Sequence, residues 1–106
     1  GQVVACIPNA QHWSIQAKLA TGAFRYEDSG LLDRTHLRWF TRTTIPHLFE
    51  QAGFELVHLG ARIFDEPGYE VLAPVIEEMA ELCGGDVASA VADARPLQYV
   101  VSAVAR

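Results

Sequence analysis

The sequence predicts an α/β fold in which three strands form one sheet and helices connect them. β-Branched apolar runs alternate along the chain with segments whose apolar residues return every three or four positions. A helix-type segment passes into a strand-type segment across the single residue Gly53, as an α-to-β junction in a layered sheet does. The final run, residues 97–105 (LQYVVSAVA), is apolar at almost every position, the composition of a strand covered on both faces and lying inside a sheet.

Each element has its own signal. Residues 2–7 (QVVACI) are a short β-branched run closed by Pro8-Asn9, where the chain turns sharply. Over residues 12–21, Trp13, Ala17 and Ala20, together with Ile15 and Leu19, fall on helical spacings, and Gly22 stands where a helix stops. Thr43 or Thr44 caps a second helix with Pro46 in its first turn; Ile45, Leu48, Phe49 and Ala52 share a face, and Gly53 supplies the left-handed end. The loosely alternating run Phe54–Ile63 is the second strand.

A third helix follows from Leu72, Val75, Ile76, Met79, Leu82 and Cys83, with Glu77, Glu78 and Glu81 on the far side. Pro74 is expected near its start and Gly84-Gly85 at its end. Asp86 then caps a short helix through Val87, Ala90, Val91 and Ala94, which Pro96 stops.

At 106 residues and 11.6 kDa the chain makes a single domain, and its 50% apolar and 20% charged composition speaks against disorder, collagen and coiled coil. No stretch reaches the ~18 apolar residues of a membrane span. Eight Lys and Arg against thirteen Asp and Glu give a net charge of −5, the wrong sign for a nucleic-acid surface. The charge is uneven: residues 63–94 contain no Lys or Arg, which predicts an acidic solvated surface there. The chain begins at Gly1 without a signal-peptide pattern and reads as a piece of a cytoplasmic protein. Cys6 and Cys83 lie in apolar patterns and are expected as reduced core residues.

Nucleotide-cradling glycine motifs are absent, the four histidines show no metal-ligand spacing, and no serine sits in a nucleophile elbow. Residues 24–43 stand out instead: they exceed the ~12 residues usual for a structureless connection, which marks a functional or Ω-like segment. Within it, residues 30–42 (GLLDRTHLRWFTR) interleave Asp33, Arg34, His36, Arg38 and Arg42 with Leu31, Leu32, Leu37, Trp39 and Phe40. Pinned by its apolar members, this segment presents a His and guanidinium groups suited to an anionic or polyhydroxyl ligand, with His36 able to take a proton near neutral pH. The structural alternative is that Asp33 pairs with Arg34 or caps a turn while Trp39 and Phe40 belong to the core.

The series IPN at 7–9, His12-Trp13, Gly22-x-Phe24-x-Tyr26, GLLDRTHLRWFT at 30–41 and LFEQAGFELV at 48–57 closely resembles the C-terminal portion of class I S-adenosylmethionine-dependent methyltransferases of a bacterial group met beside glycosyltransferases. The similarity covers residues 1–60 and is most specific in DRTHLRWFT followed by a helix ending in AGF. Beyond Ile63 it is architectural. The resemblance implies a fragment of a Rossmann-like fold: a three-stranded mixed sheet in the order first, third, second, the last strand central and antiparallel, with helices on both faces.

It further implies that the half binding S-adenosyl-L-methionine precedes Gly1, so the complete protein uses that cofactor while this chain alone neither binds it nor turns over. Asn9 and His12 are then placed at the C-terminal edge of the first strand, where ligands bind in open α/β sheets. Asn9, His12, Tyr26 and Arg38 are expected to contact a small-molecule or sugar-type acceptor, and His36 to act as base or orienting group for its hydroxyl. A second expectation, from a different class, is a non-catalytic association module whose contacts are the edge of the first strand and the acidic helix. Cut from preceding strands, residues 3–7 form an unblunted sheet edge, which predicts a homodimer through that edge.

Overall fold

The computed structural model describes residues 1–33 and 38–106. In chain order the elements are β1 (Gln2–Pro8), α1 (Trp13–Thr21), α2 (Ile45–Gln51), β2 (Phe54–Ile63), α3 (Pro67–Leu82), α4 (Val87–Asp93) and β3 (Pro96–Ala105). The three strands form one sheet in the order β1-β3-β2, with the apolar last strand inside as its composition requires.

Both neighbour pairs are antiparallel, β1 with β3 and β2 with β3. The expected mixed sheet is therefore antiparallel throughout: β1 and β2 run in the same direction, but β3 separates them and no parallel ladder forms. This arrangement gathers the C-terminal ends of β1 and β2 and the N-terminal end of β3 at one end of the sheet.

Strand periodicity decides which side chains meet the core. Ile7, Tyr99, Val101 and Ala103 point to one face, where Ile45 and Phe49 of α2 pack against them, joined by the half-buried Val3, Ala5, Phe54, Leu56 and Leu59. The intervening positions point the other way, and helices on both faces are not what is seen there: Val4 is 67% exposed and Val57 63%. Helices α1, α3 and α4 are rooted at the common strand end and pack on one another.

Cys6 and Cys83 are both free, and both are exposed rather than in the core. Cys6 alternates with the buried Ile7 and so falls on the open sheet face; Cys83 follows the last turn of α3. The third helix also starts five residues earlier than Leu72, at Pro67, and Pro74 lies inside it. Glu66, extended at φ −133° and ψ 132°, is held out of the helix by the proline that follows, and Pro67 has the fixed φ suited to a first helical position. Gly22, Gly53 and Gly84 take the left-handed conformation (φ 75°, 84° and 73°) at the ends of α1, α2 and α3, as expected.

The two sheet faces make opposite demands on stability. Ile45→Ala, which empties a fully buried site, is expected to cost about 2–5 kcal/mol in urea unfolding, whereas Val4→Ala on the open face should change stability by less than about 0.5 kcal/mol.

Candidate functional site

The strand end where β1, β2 and β3 converge is organised by Asn9. It is fully buried, and its amide Nδ2 donates to the carbonyl oxygens of Asp93 and Pro96, both at 2.8 Å, while its Oδ1 accepts from the backbone N–H of Gln11 at 2.9 Å. The Asn9 backbone N–H donates in turn to the Leu97 carbonyl. One side chain thus clasps the exit of β1 to the entry of β3. Its amide donors are fully engaged by backbone, so its part in the site is to position the elements around it.

Three residues on, His12 caps α1 and is 2% exposed. Its Nδ1 accepts from the Ser14 backbone N–H at 3.2 Å and lies 2.7 Å from the Ser14 hydroxyl. That assigns the proton of the neutral ring to Nε2, which faces Glu66 Oε1 at 3.9 Å. Burial pushes the imidazole below its ordinary value of 6.5, and the Glu66 carboxylate pulls against that shift. His12 is therefore a neutral donor group turned toward a carboxylate.

Glu66 belongs to a cavity of about 290 Å³ lined by Trp13, Phe64, Asp65, Glu66, Pro67, Tyr69, Glu70 and Arg95. Its walls come from the start of α1, the segment joining β2 to α3, and the residue before β3. The indole of Trp13 lies directly on the first turn of α3: a Cβ at Gly68 would sit 2.3 Å from the ring, so only glycine admits this approach. The Tyr69 hydroxyl donates to the Val91 carbonyl at 3.0 Å, and the Arg95 guanidinium stacks over the Tyr69 ring at 5.2 Å and lies 3.6 Å from Asp65. The cavity thus combines aromatic walls with carboxylate acceptors and a guanidinium donor, a lining fitted to a ligand with an apolar side and hydroxyl groups.

A second polar group lies under the same strand end. Arg42 Nε donates to Asp93 Oδ1 at 2.9 Å, fixing the loop before α2 to the end of α4. The buried Tyr99 hydroxyl has no hydrogen-bond partner among the described residues; burial, and then the Asp93 carboxylate, push its pKa up to about 12.

The structure separates the sequence-predicted residues. Asn9 and His12 sit together at the end of β1. Tyr26 is 52% exposed and packs edge-on against Phe24, whose ring also meets Trp39 at 5.8 Å. Arg38 lines a different, open depression with Trp39, Phe40, Thr44, His47, Leu48 and Gln51. Phe40 bridges to Asn9 in parallel and Leu32 is buried, so among the described residues of 24–43 these two apolar side chains are anchored to the fold. His36, with Arg34, Thr35 and Leu37, lies outside the described residues.

Sequence reasoning missed Glu66, Tyr69 and Arg95, which carry only composition as a signal; Glu66-Pro67 after a strand was the one local cue to a helix start there. Among the described residues, no group of three or more His, Cys, Asp or Glu side chains gathers to hold a metal ion. Comparison with known proteins gives no matching family model and no matching curated protein.

Two outcomes follow from this geometry. His12 resists protonation in the folded protein but takes a proton at its ordinary value when unfolded, so stability present above about pH 6.5 is lost as pH falls from there through the folded-state value. Thermal melts between pH 8 and 5 should show this loss, and His12→Asn, which retains a capping oxygen, should flatten the slope. Gly68→Ala is expected to expel the Trp13 ring, cost about 1–3 kcal/mol and shift the tryptophan emission.

Proposed function

We propose that this chain is the substrate-facing, C-terminal part of an S-adenosylmethionine-dependent methyltransferase, and that the small-molecule or sugar-type acceptor is held at the common strand end. The observation that carries this reading is the sheet order β1-β3-β2 with the last strand antiparallel between the other two. That order is what the resemblance in residues 1–60 implies for the end of such a sheet.

Residues of this chain do not fit a cradle for the methyl donor. Its glycines of positive φ follow helices or sit in the turn at Gly30, and none lies between a strand and the start of a helix. On this reading the methyl donor is bound by another part of the complete protein, and what this chain contributes is acceptor binding. In that role Trp13 stacks on the apolar side of the acceptor, Glu66 accepts from a hydroxyl, and Arg95 donates to another oxygen. His12 acts through Glu66: its Nε2–H faces the carboxylate and favours one orientation of it. His36 and Arg38 are proposed as base and anchor from the covering segment.

A homodimeric association role is favoured by a separate observation, the outer position of β1 with exposed Val4 and Cys6 on its open face. Sedimentation that finds a monomer at high concentration removes that reading.

The complete protein encoded by the uncut reading frame decides the transferase reading. With S-adenosylmethionine labelled in its methyl group and monosaccharide or lipid-linked glycan acceptors, label is expected in the acceptor. Glu66→Gln is expected to raise KM for the acceptor about tenfold or more, and His36→Ala to lower kcat on the order of 10²-fold. An upstream sequence lacking a glycine-rich strand-turn-helix, or a complete protein that transfers no label, overturns it.

A further inference from the structure

Helix α3 carries an apolar stripe that the fold leaves uncovered. Val71 is 72% exposed, Val75 54%, Met79 53% and Leu82 81%. At ~100° per residue these four side chains fall within about a quarter of the helix circumference. Next to them Leu72 and the buried Ile76 turn toward α1, where Ala17 and Ala20 leave a shallow apolar groove against Leu72, Val75 and Met79. Scattered exposed apolar residues are ordinary, but a continuous stripe along a 16-residue helix beside an apolar groove has the form of a docking face.

Charge selects the occupant. Glu78 borders the stripe on the side away from α1 with Glu81 beyond it, and Glu70 and Glu77 extend the acidic face; all four are exposed. No Lys or Arg occurs anywhere in residues 63–94. An amphipathic helix that lies on a membrane carries the opposite pattern, cations beside its apolar face, and this one would be repelled by anionic lipid. A second copy of α3 would set Glu against Glu.

We propose that the stripe on α3 docks an amphipathic helix of a partner protein whose apolar face is flanked by Lys or Arg. The partner's apolar side chains fill the groove between α1 and α3 and cover Val71, Val75, Met79 and Leu82, while its cations meet Glu78 and Glu81. The proposal does not rest on the transferase reading: Val71, Val75, Met79 and Leu82 line no wall of the cavity, although Trp13 borders both the groove and the cavity and Glu70 reaches the cavity rim.

A fluorescent 16-residue helical peptide with Leu along one face and Lys on its flanks tests the proposal by anisotropy against the whole chain. Three comparison peptides complete the set: the same composition scrambled so that no apolar face forms, the patterned peptide with Glu in place of Lys, and the patterned peptide in high salt. Saturable binding of the patterned Lys peptide is expected, with affinity at least about tenfold lower for the scrambled and Glu peptides and for Val75→Glu in the protein. Glu78→Gln with Glu81→Gln, which leaves the apolar stripe intact and guards against a misfolded Val75 variant, is expected to weaken binding about threefold or more and to reduce its salt dependence. Equal binding of the scrambled peptide, no binding of the patterned one, or insensitivity to the Glu changes overturns the proposal. Self-association of the wild-type chain that Val75→Glu abolishes also overturns it, because the occupant is then a second copy.

Discussion

Everything at the functional end of this molecule depends on β3 being threaded backwards between two strands that point the other way. Burying Tyr99, Val101 and Ala103 against α2 holds β3 in the centre. Antiparallel pairing on both sides then forces the entry of β3 and the exits of β1 and β2 to the same place. Where β1 leaves and β3 enters the sheet the chain is buried, and the backbone groups there must find partners away from water. The Asn9 side chain meets this need with one amide that bonds the carbonyls of Asp93 and Pro96. A buried amide with every donor used is worth more than a surface bond, because losing it strands the carbonyls it served.

The clasp has a chemical consequence. By fixing the end of β1 against the start of β3, it sets where α1 begins, and the Trp13 backbone N–H bonds the Ala94 carbonyl at 2.9 Å in support. His12 and Trp13 are then delivered to the segment that leaves β2, so that residues far apart in sequence share one cavity. The same burial that makes His12 a good cap keeps it neutral, which leaves the Glu66 carboxylate without a full counter-charge from that side. Polar capacity in the cavity is in this sense a by-product of how the strands are joined.

Much of this was legible in the chain and some was not, for physical reasons. Strand β2 is readable at both ends because Gly53 and the alternation after it are local signals, and the central position of β3 is readable because so apolar a run suits a strand with a neighbour on each side better than a solvent-washed edge. The start of α3 was misplaced because Pro74 looked like a first-turn proline, whereas Pro67 fills that role and the helix tolerates a second proline within it. The cysteines were misassigned because an apolar run says that a strand is buried but not on how many faces, and the face of Cys6 is open. Trp13, Glu66, Tyr69 and Arg95 carry no site motif; their proximity is a product of the strand order, and His12, which meets the cavity through Glu66, is the one neighbour that the sequence offers as a site candidate.

Helix α3 joins two features that the sequence kept apart. Its first turn, where Gly68 lets the Trp13 ring lie on the backbone, is a wall of the cavity, while its exposed stripe runs from Val71 to Leu82. The indole contact leaves no room for a Cβ, and close-packed contacts of this kind transmit displacement rather than absorb it. Any rotation of α3 about its axis therefore moves Pro67 and Tyr69 against Trp13, and with them Glu66 relative to His12. The Tyr69 hydroxyl adds a second tether, to the Val91 carbonyl on α4. A helix docked on the outer face of α3 would thus act on the same element that shapes the cavity, which places recognition of a partner and recognition of a ligand on one rod.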